Sequence, residues 1–331
     1  MIKDRVNWGI LSCANIAANA IIPGIKNSSN NSVLYAIAGK RKNKLEEFSK
    51  KFNPAKLYDS YEDLINDPII DAVYIPLPNS LHCEWVVKTA EKKKHILCEK
   101  PLGCTPEEVL KMKDACRKNG VILMEAFAYR YNNVIRKAKE LVLNGVAGNL
   151  KFIESHFTYL THERENIRLV KSLGGGGCYD IGCYPINFIR YIAGKEPLSI
   201  MASGVIDPEL GVDMSGCGIL NFEKGLKGIF RYSFDVPYTT GFKITGDKGT
   251  IEFSGYWYSS GDMELKVIKA ENRITKGENI ESIILDCPDS YTLQVEQFAN
   301  CILKGEEPLI SLDDTYNNIL AIKNVLEQLK Y

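Results

Sequence analysis

The hydrophobic positions in the first part of the chain fall into two alternating kinds of run. Short apolar runs rich in β-branched residues predict strands at 8–11, 33–38, 72–75, 96–98 and 121–124. Longer segments with apolar residues three and four positions apart predict helices between them, at 16–26, 42–52, 80–92 and 105–119. Strands that alternate with helices are typical of stacked βαβ units, so this pattern predicts a parallel sheet.

Capping residues mark two helix starts in this part of the chain. Ser60 and Thr105 each stand three residues before a carboxylate, where a hydroxyl can accept a hydrogen bond from the first turn. Pro106 occupies a first-turn position that needs no N–H, and Gly120 is a suitable residue for the end of the second helix.

The pattern changes after residue 124. One helix is predicted at 134–143, and period-two alternation then predicts antiparallel strands with one buried face at 150–159, 216–222, 228–234 and 249–253. Helical periods return at 290–303 and 313–329. We therefore expect two domains, 1–124 and 125–331, and the final helix is a candidate to pack back on the first domain.

Composition limits the class of partner and the compartment. The 331 residues carry 41 lysines and arginines against 41 aspartates and glutamates, with no basic stripe, so a small molecule is expected rather than nucleic acid or an anionic membrane. No run approaches the ~18 apolar residues of a membrane span, and no signal peptide is recognised, which favours a cytoplasmic protein. The ten cysteines form no CxxC pair and no Cys/His cluster, which predicts reduced thiols and no metal site.

The turn after the first predicted strand occupies the place of a dinucleotide-binding fingerprint. Ser12, Ala14 and Ala17 stand at its three glycine positions, and small side chains still allow a pyrophosphate to approach the N–H groups of the next helix. A plain strand–turn–helix would look similar. The residues expected to contact the cofactor here are Gly9, Ser12, Cys13, Ala14, Asn15 and Ile16.

The end of the second predicted strand distinguishes the two nicotinamide cofactors. An NAD site normally places an acidic side chain there for the ribose 2′-hydroxyl, whereas the 2′-phosphate of NADP needs cations. Lys40 and Arg41 stand at this point, so NADP is favoured, with NAD still possible. The alternative is a solvated run of charges, because Lys42 and Lys44 continue it.

Three later segments carry further candidate chemistry. Pro78, Asn79 and His82 follow one strand and Glu99-Lys100-Pro101 ends the next, at the edge where open α/β sheets bind ligands. A glycine run at 174–177 then leads into Asp180 and Tyr184.

With these motifs in this order, the whole chain resembles the Gfo/Idh/MocA oxidoreductases. The resemblance implies an α/β protein with an N-terminal Rossmann domain and a C-terminal α/β domain that carries a large, mostly antiparallel open sheet. It also implies a cofactor and substrate cleft between the domains. Members act mostly on sugars, cyclitols and related diols, often as homodimers or homotetramers joined through the open sheet.

Many members of the family have a histidine where this sequence has Tyr184. The tyrosine resembles the branch of dimeric dihydrodiol dehydrogenases, glucose–fructose oxidoreductases and NADP-dependent xylose dehydrogenases. The segment from Glu125 to Arg130 also resembles that branch, although Asn132 and Asn133 replace its usual His-Pro.

This resemblance assigns roles to the candidate residues. Tyr184 transfers the proton, and Lys100 lowers the pKa of the phenol and orients the substrate hydroxyl. Asp180 positions Lys100 or the substrate, and its spacing from Tyr184 predicts a shared helix face. The remaining cofactor contacts expected are Pro78, Asn79, His82, Glu99, Lys100 and Arg130, with His82 alternatively only a helix-start residue.

The expected function is therefore hydride transfer between NADP and a hydroxyl or carbonyl carbon of a sugar, sugar derivative, cyclitol or trans-diol. An enzyme that cycles a tightly held nicotinamide between two sugars would be expected to have an N-terminal arm, whereas this chain begins a few residues before its first strand. An NADP-binding regulator without turnover would be expected to lose Lys100 or Tyr184. Position alone suggests that Arg164 and Arg168 bind an anionic substrate group, and the roles of His156 and His162 stay open.

Overall fold

The computed structural model describes residues 4–161, 163–269 and 279–329. The chain divides into two compact units, one made of 1–128 with 289–316 and the other of 129–288 with 317–331. Its strands are β1 Val6–Leu11, β2 Ser32–Ala38, β3 Lys56–Tyr58, β4 Ala72–Ile75, β5 His95–Glu99, β6 Leu123–Ala126, β7 Leu150–Thr158, β8 Ser199–Ile206, β9 Asp213–Asn221, β10 Lys227–Ser233, β11 Thr239–Gly246, β12 Gly249–Ser254, β13 Gly261–Lys269 and β14 Asn279–Cys287.

The α-helices are α1 Ile22–Asn27, α2 Lys42–Phe52, α3 Tyr61–Asn66, α4 Asn79–Glu91, α5 Pro106–Asn119, α6 Asn133–Leu143, α7 Cys183–Ala193, α8 Ser290–Lys304 and α9 Leu312–Leu326. π-helical turns at Ala17–Ile21 and Cys178–Gly182 lead directly into α1 and α7. Short 3₁₀ turns lie at Ala128–Tyr131, Ile167–Leu169, Lys171–Leu173 and Glu223–Gly225. No described helix has the length and apolar character that a membrane span requires.

The sheet of the first unit has the strand order β3-β2-β1-β4-β5-β6, and its paired strands run parallel. The parallel sheet predicted for this part of the chain is confirmed. Because the order reverses between β1 and β4, the loops after these two strands diverge and leave a crevice at their carboxyl ends. This is the edge at which the fingerprint turn and the Pro78 segment lie.

The predicted helix caps are present. The hydroxyl of Ser60 accepts from the Asp63 N–H at 3.2 Å, and that of Thr105 accepts from the Glu108 N–H at 3.2 Å. Gly120 ends α5 with a φ of 66°, in the left-handed region that favours glycine.

The helix α8 belongs to the first unit, although it follows the second in sequence. It packs on α1, β1 and β2, and the Phe298 ring lies 5.5 Å from that of Trp8. The penultimate helix thus lies wholly with the N-terminal sheet, and the first residues of the final helix belong to the same unit. The chain division falls within α9, after residue 316.

The second unit contains an eight-stranded sheet in the order β14-β13-β12-β11-β7-β10-β9-β8. Its described neighbours pair antiparallel except β7 with β10, which confirms the large, mostly antiparallel sheet expected. The helix α7 covers one face, with the Phe188 ring stacked 4.6 Å from that of Phe242. A Cβ on Gly228 would overlap Ile189, so close contact between β10 and α7 requires glycine there.

Candidate active site

The turn after β1 has a backbone shape that is unusual for its residues. Ser12 has a φ of 117°, its N–H donates to the Ala38 carbonyl at 3.0 Å, and its hydroxyl lies 3.5 Å from the Pro76 carbonyl. The turn is therefore fixed against the ends of β2 and β4. Asn15 is exposed and Ala14 and Ile16 are partly exposed, which leaves the helix start beyond Ser12 open to a ligand.

Two glycines around this turn are required by packing. A Cβ on Gly9 would lie 2.7 Å from the Leu64 side chain, so Gly9 admits α3 against β1. A Cβ on Gly39 would lie 2.8 Å from the sulfur of Cys13. Cys13 thus fills the space beside Gly39, and burial raises the pKa of its thiol to about 11, so the thiol is neutral at physiological pH.

Lys40 and Arg41 are exposed at the end of β2. The Lys40 ammonium lies 5.2 Å from the centre of the Tyr61 ring. Burial raises the pKa values of Cys13 and Tyr61, while the charge of Arg41 acts on both in the opposite direction. Both cations therefore lie near the fingerprint turn, with their side chains exposed.

His82 has a different place from the cofactor contact expected. Its side chain is fully buried, with Nδ1 2.9 Å from the Pro101 carbonyl and Nε2 2.8 Å from the Leu77 carbonyl. Burial lowers the pKa of the imidazole. His82 joins two loops beneath the site, whereas Pro78 and Asn79 are partly exposed at the start of α4.

The Glu99-Lys100-Pro101 segment is held by carboxylates on both sides. Glu99 accepts from the Tyr74 hydroxyl at 2.5 Å and from the Lys100 N–H at 3.2 Å, so its oxygens support the loop. On the other side, the buried carboxylate of Glu125 accepts from the Leu102 N–H at 2.9 Å and from the Thr315 hydroxyl at 2.8 Å. Lys100 itself is partly exposed.

Tyr184 lies in the first turn of α7 and is 7% exposed. Its ring contacts four aromatic rings of the second unit, with centroids 5.3–6.4 Å away: Phe157, Tyr129, Tyr258 and Trp257. This packing fixes the orientation of the phenol. Low exposure and a rigid setting suit a group that exchanges one proton with a bound substrate.

Asp180 makes hydrogen bonds with two residues that the sequence did not suggest as its partners. Its Oδ2 accepts from the Tyr159 hydroxyl at 2.7 Å and from Nε of Arg168 at 2.9 Å. The negative charge of Asp180 raises the pKa of Arg168, while burial raises that of Tyr159. Sequence spacing could not predict these contacts, because the three residues lie on separate segments. Tyr159 follows β7, and Arg168 lies in a 3₁₀ turn.

The helix face expected to join Asp180 and Tyr184 is not formed as predicted. Residues 178–182 make a π-helical turn, and this wider turn changes the angular spacing between positions four apart. The two side chains are therefore placed by the junction between the π turn and α7.

The two arginines expected to face an anionic substrate are both paired. Arg168 is bound to Asp180 as described above, and Nη1 of Arg164 donates to Glu209 at 2.5 Å. Both members of the Arg164 pair are about two-thirds exposed, so this pair contributes little to stability. Position alone suggested that these arginines bind an anionic substrate group, and each already has a carboxylate partner within the chain.

Arg130, which is expected to contact the cofactor, is buried in the second unit. It is 7% exposed, its guanidinium carbon lies 3.6 Å from the centre of the Tyr191 ring, and Nη1 donates to Asn187 at 3.3 Å. His156 lies on the sheet away from α7, where burial lowers its pKa to about 4. His162 lies outside the described residues.

The glycine run before Asp180 is required by the surrounding backbone. A Cβ on Gly175 would lie 2.6 Å from the Arg168 carbonyl oxygen, and a Cβ on Gly176 would overlap the carboxylate of Asp213. Gly176 also has a φ of 127°. Packing explains these glycines without a ligand. The described residues contain no group of three or more side chains arranged to hold a metal ion.

Both parts of the chain are similar to known proteins. Residues 6–127 match the oxidoreductase family model with an NAD-binding Rossmann fold, and residues 135–252 match the GFO/IDH/MocA C-terminal domain model. The chain is 31% identical over 321 residues to D-xylose 1-dehydrogenase (NADP(+)) 2 of Haloferax volcanii, covering 97% of this chain and 96% of that protein.

Two further similarities extend over nearly the whole length. Trans-1,2-dihydrobenzene-1,2-diol dehydrogenase of Xenopus laevis is 29% identical over 325 residues, which is 97% of each chain. A 3-ketoreductase from Actinomadura kijaniata, solved with NADP and TDP-benzene, superposes with a TM-score of 0.90 over 98% of each chain at 24% identity, a likeness in fold. The protein is thus a member of the Gfo/Idh/MocA family of nicotinamide-dependent oxidoreductases.

Proposed function

We propose that this enzyme prefers NADP and transfers a hydride between this cofactor and a hydroxyl or carbonyl carbon of a sugar, sugar derivative, cyclitol or diol. The observation that carries the cofactor choice is the position of Lys40 and Arg41, exposed at the end of β2 and beside the fingerprint turn. A 2′-phosphate is a dianion at neutral pH, and two cations at this strand end suit it. The substrate class rests on the relatives, which include a xylose dehydrogenase and a dihydrodiol dehydrogenase.

The residues of the first unit fit such a cofactor. The turn at Ser12 lies close to the ends of β2 and β4 through its backbone and hydroxyl contacts, and it opens a helix start with small or exposed side chains. Backbone N–H groups at a helix start bind phosphate oxygens well. We expect Ser12, Cys13, Ala14, Asn15 and Ile16 to hold the pyrophosphate through the backbone.

We assign the transfer of the substrate proton to Tyr184. A bound nicotinamide would supply the hydride acceptor for the alcohol carbon. When the alcohol is oxidised, the phenolate of Tyr184 takes the proton from the alcohol oxygen. Lys100 stabilises the phenolate and orients the reacting hydroxyl, because an ammonium near a phenol favours its charged form. In the reducing direction Tyr184 returns the proton to the oxygen.

The supporting residues keep these groups in place. Asp180 is fixed by Tyr159 and Arg168, and Lys100 sits on a loop held by Glu99, Glu125 and His82 as described above. Asp180 then orients Lys100 or a substrate hydroxyl. A regulator without turnover is not favoured, because it would have no need of these reactive groups.

We also propose that the enzyme assembles into a homodimer or homotetramer through the outer face of its eight-stranded sheet. Strand pairing places Met201, Ile219 and Ile229 in one row across β8, β9 and β10. Met201 is 62% and Ile219 38% exposed. The row continues with side chains of alternating charge at Glu154, Lys243, Glu252 and Lys266.

A row that is apolar at one end and alternately charged at the other suits a second copy of the same surface. Such a copy would cover the apolar end and could pair the charges. A cytoplasmic location is proposed from the ten free cysteines, of which most are buried thiols.

The cofactor proposal is tested by titrating the protein with NADPH and NADH and following intrinsic fluorescence. We expect NADPH to bind more tightly, and Lys40→Ala/Arg41→Ala to weaken NADPH by roughly 10- to 100-fold while changing NADH little. The control is Lys50→Ala/Lys51→Ala, which removes two lysines from the other end of α2. Equal loss in both variants, or no preference in the native protein, would contradict the role of Lys40 and Arg41.

A further inference from the structure

Asp213 lies at the start of β9 and is 5% exposed, and no role in the chemistry has been assigned to it. Both of its carboxylate oxygens face the segment that leads into Asp180 and Tyr184. Oδ2 accepts from the Cys178 N–H at 2.6 Å. Oδ1 occupies the space that a side chain at Gly176 would need.

Cys178 is the first residue of the π-helical turn that continues into α7. A helix start presents backbone N–H groups and the positive end of the helix dipole, and a carboxylate satisfies both. Asp213, which lies at the start of β9, therefore caps this helix from a different part of the chain. The residue that precedes the turn, Gly177, has no side chain to do so.

The same segment is held at a second point by Arg168. The Gly176 N–H donates to the Arg168 carbonyl at 2.8 Å, while the Arg168 side chain binds Asp180 at 2.9 Å. The turn that carries Asp180 is thus anchored on one side by Asp213 and on the other by Arg168. Without Asp213, the backbone from 176 to 178 would lose its hydrogen bond to a side chain at the start of the turn.

Asp213 lies in a buried setting beside Tyr232. Burial raises the pKa of its carboxyl group, and the Tyr232 hydroxyl and the Cys178 N–H act in the opposite direction. The Tyr232 ring packs on the same segment, because Cβ atoms on Gly177 and Gly182 would lie 3.0 Å and 2.8 Å from it. Asp213 and Tyr232 thus form one support beneath the turn.

We propose that Asp213 is a positioning residue, which sets the place of Asp180 and Tyr184 by capping the helix that carries them. This inference rests on the proposed function, in which Tyr184 exchanges the substrate proton. A misplacement of about 1 Å in a reacting group can reduce a rate by roughly 100-fold. Asp213 therefore acts on kcat and leaves NADPH binding unchanged.

The chain offers a matched control in the same unit. Asp247 also accepts a backbone N–H, from Asn149 at 2.8 Å, and its carboxylate also occupies the space beside a glycine, Gly148. It lies in the turn between β11 and β12, away from the segment that carries Tyr184. Asp213→Asn and Asp247→Asn thus make the same chemical change at a buried carboxylate that caps a helix and at an exposed one that does not.

The kinetic test compares these variants with the native enzyme. Asp213→Asn is expected to reduce kcat by roughly 10- to 100-fold, with the Kd for NADPH within about 2-fold, whereas Asp247→Asn leaves kcat within about 2-fold. In a Tyr184→Phe background the Asp213→Asn loss should disappear, because the two residues act through one step. Equal kcat values for Asp213→Asn and the native enzyme, or an undiminished loss in the Tyr184→Phe background, would overturn the proposal.

Amide hydrogen exchange tests the capping contact without any turnover. Asp213→Ala should accelerate exchange in peptides covering 176–184 by at least about 10-fold, and Asp247→Ala should affect only peptides around 149. Unchanged exchange over 176–184 would overturn the cap itself. If the native enzyme turned over no sugar or diol, the proposed function would fail. Hydrogen exchange would still show whether Asp213 caps the turn at 176–184.

Discussion

A phenol with an ordinary pKa of ~10 is a weak base at neutral pH. The groups around Tyr184 therefore decide whether it can accept the substrate proton. The sequence singled out Tyr184 and Lys100 as candidates, because the motifs that contain them are distinctive, and their roles stay proposals. It could not show that His82 and Arg130 are buried, since a motif reveals residue type and not exposure. Nor could it find the Tyr159 and Arg168 contacts of Asp180, which depend on how distant segments meet.

His156 gives a prediction at this scale for stability against pH. Burial and the nearby charge of Arg231 lower its folded-state pKa to about 4, below the ordinary value of about 6.5. Between these values the unfolded state binds the proton and the folded state does not, so stability is full above pH ~6.5 and falls as the pH drops toward ~4.

Urea unfolding at pH 7.5 and pH 5 measures this effect. The native protein should lose about 1–2 kcal/mol more than His156→Gln between these two values, as the titration of a single shifted imidazole requires. Parallel losses in both proteins would show that the pKa of His156 is not depressed in the folded state.

At the scale of elements, periodicity predicted the long amphipathic helices and missed elements without a clear period. The bounds of α2 match the sequence prediction, because its apolar positions recur on one face. The strand β3 has only three residues, which are too few to show a period. The strand β6 begins at residue 123 rather than 121, because the Val121 N–H closes the end of α5 by donating to Cys116.

Packing of α7 on the sheet yields a prediction for Gly228. Gly228→Ala would place a methyl group against Ile189 of α7, and overpacking of this kind costs about 1–3 kcal/mol. Chemical denaturation measures the loss. In an Ile189→Ala background the same substitution should cost much less, because the shortened side chain leaves room; an equal cost in both backgrounds would mean that the contact with Ile189 is not the cause.

At the scale of the whole molecule, the two kinds of sheet followed from the two kinds of hydrophobic pattern. The division of the chain was harder to predict, because α8 joins the N-terminal sheet through contacts such as Trp8 with Phe298. The sequence does not indicate which apolar rings will be in contact when they lie far apart along the chain. The open sheet face could be expected from the family resemblance, but its apolar and charged row needed the strand register.

The assembly proposal predicts that Met201→Lys/Ile219→Lys dissociates the oligomer. Two lysines in the apolar part of the row would be buried without partners in the assembled protein. Sedimentation measures the result, and the control is Leu143→Lys, a similarly exposed leucine at the end of α6. An unchanged oligomer in the double variant would exclude this face as the interface, as would a native protein that sediments as one chain.

The most direct measurement of the whole account is turnover, followed by the absorbance of NADPH. The native enzyme and Tyr184→Phe would be assayed in both directions with NADP and a panel of sugars, cyclitols and trans-diols with their carbonyl counterparts. The account predicts turnover of at least one class by the native enzyme, and a kcat at least about 100-fold lower in Tyr184→Phe with unchanged NADPH binding. Tight NADPH binding without turnover of any class would contradict it and favour a regulator, and near-full kcat in Tyr184→Phe would contradict the proton-transfer role.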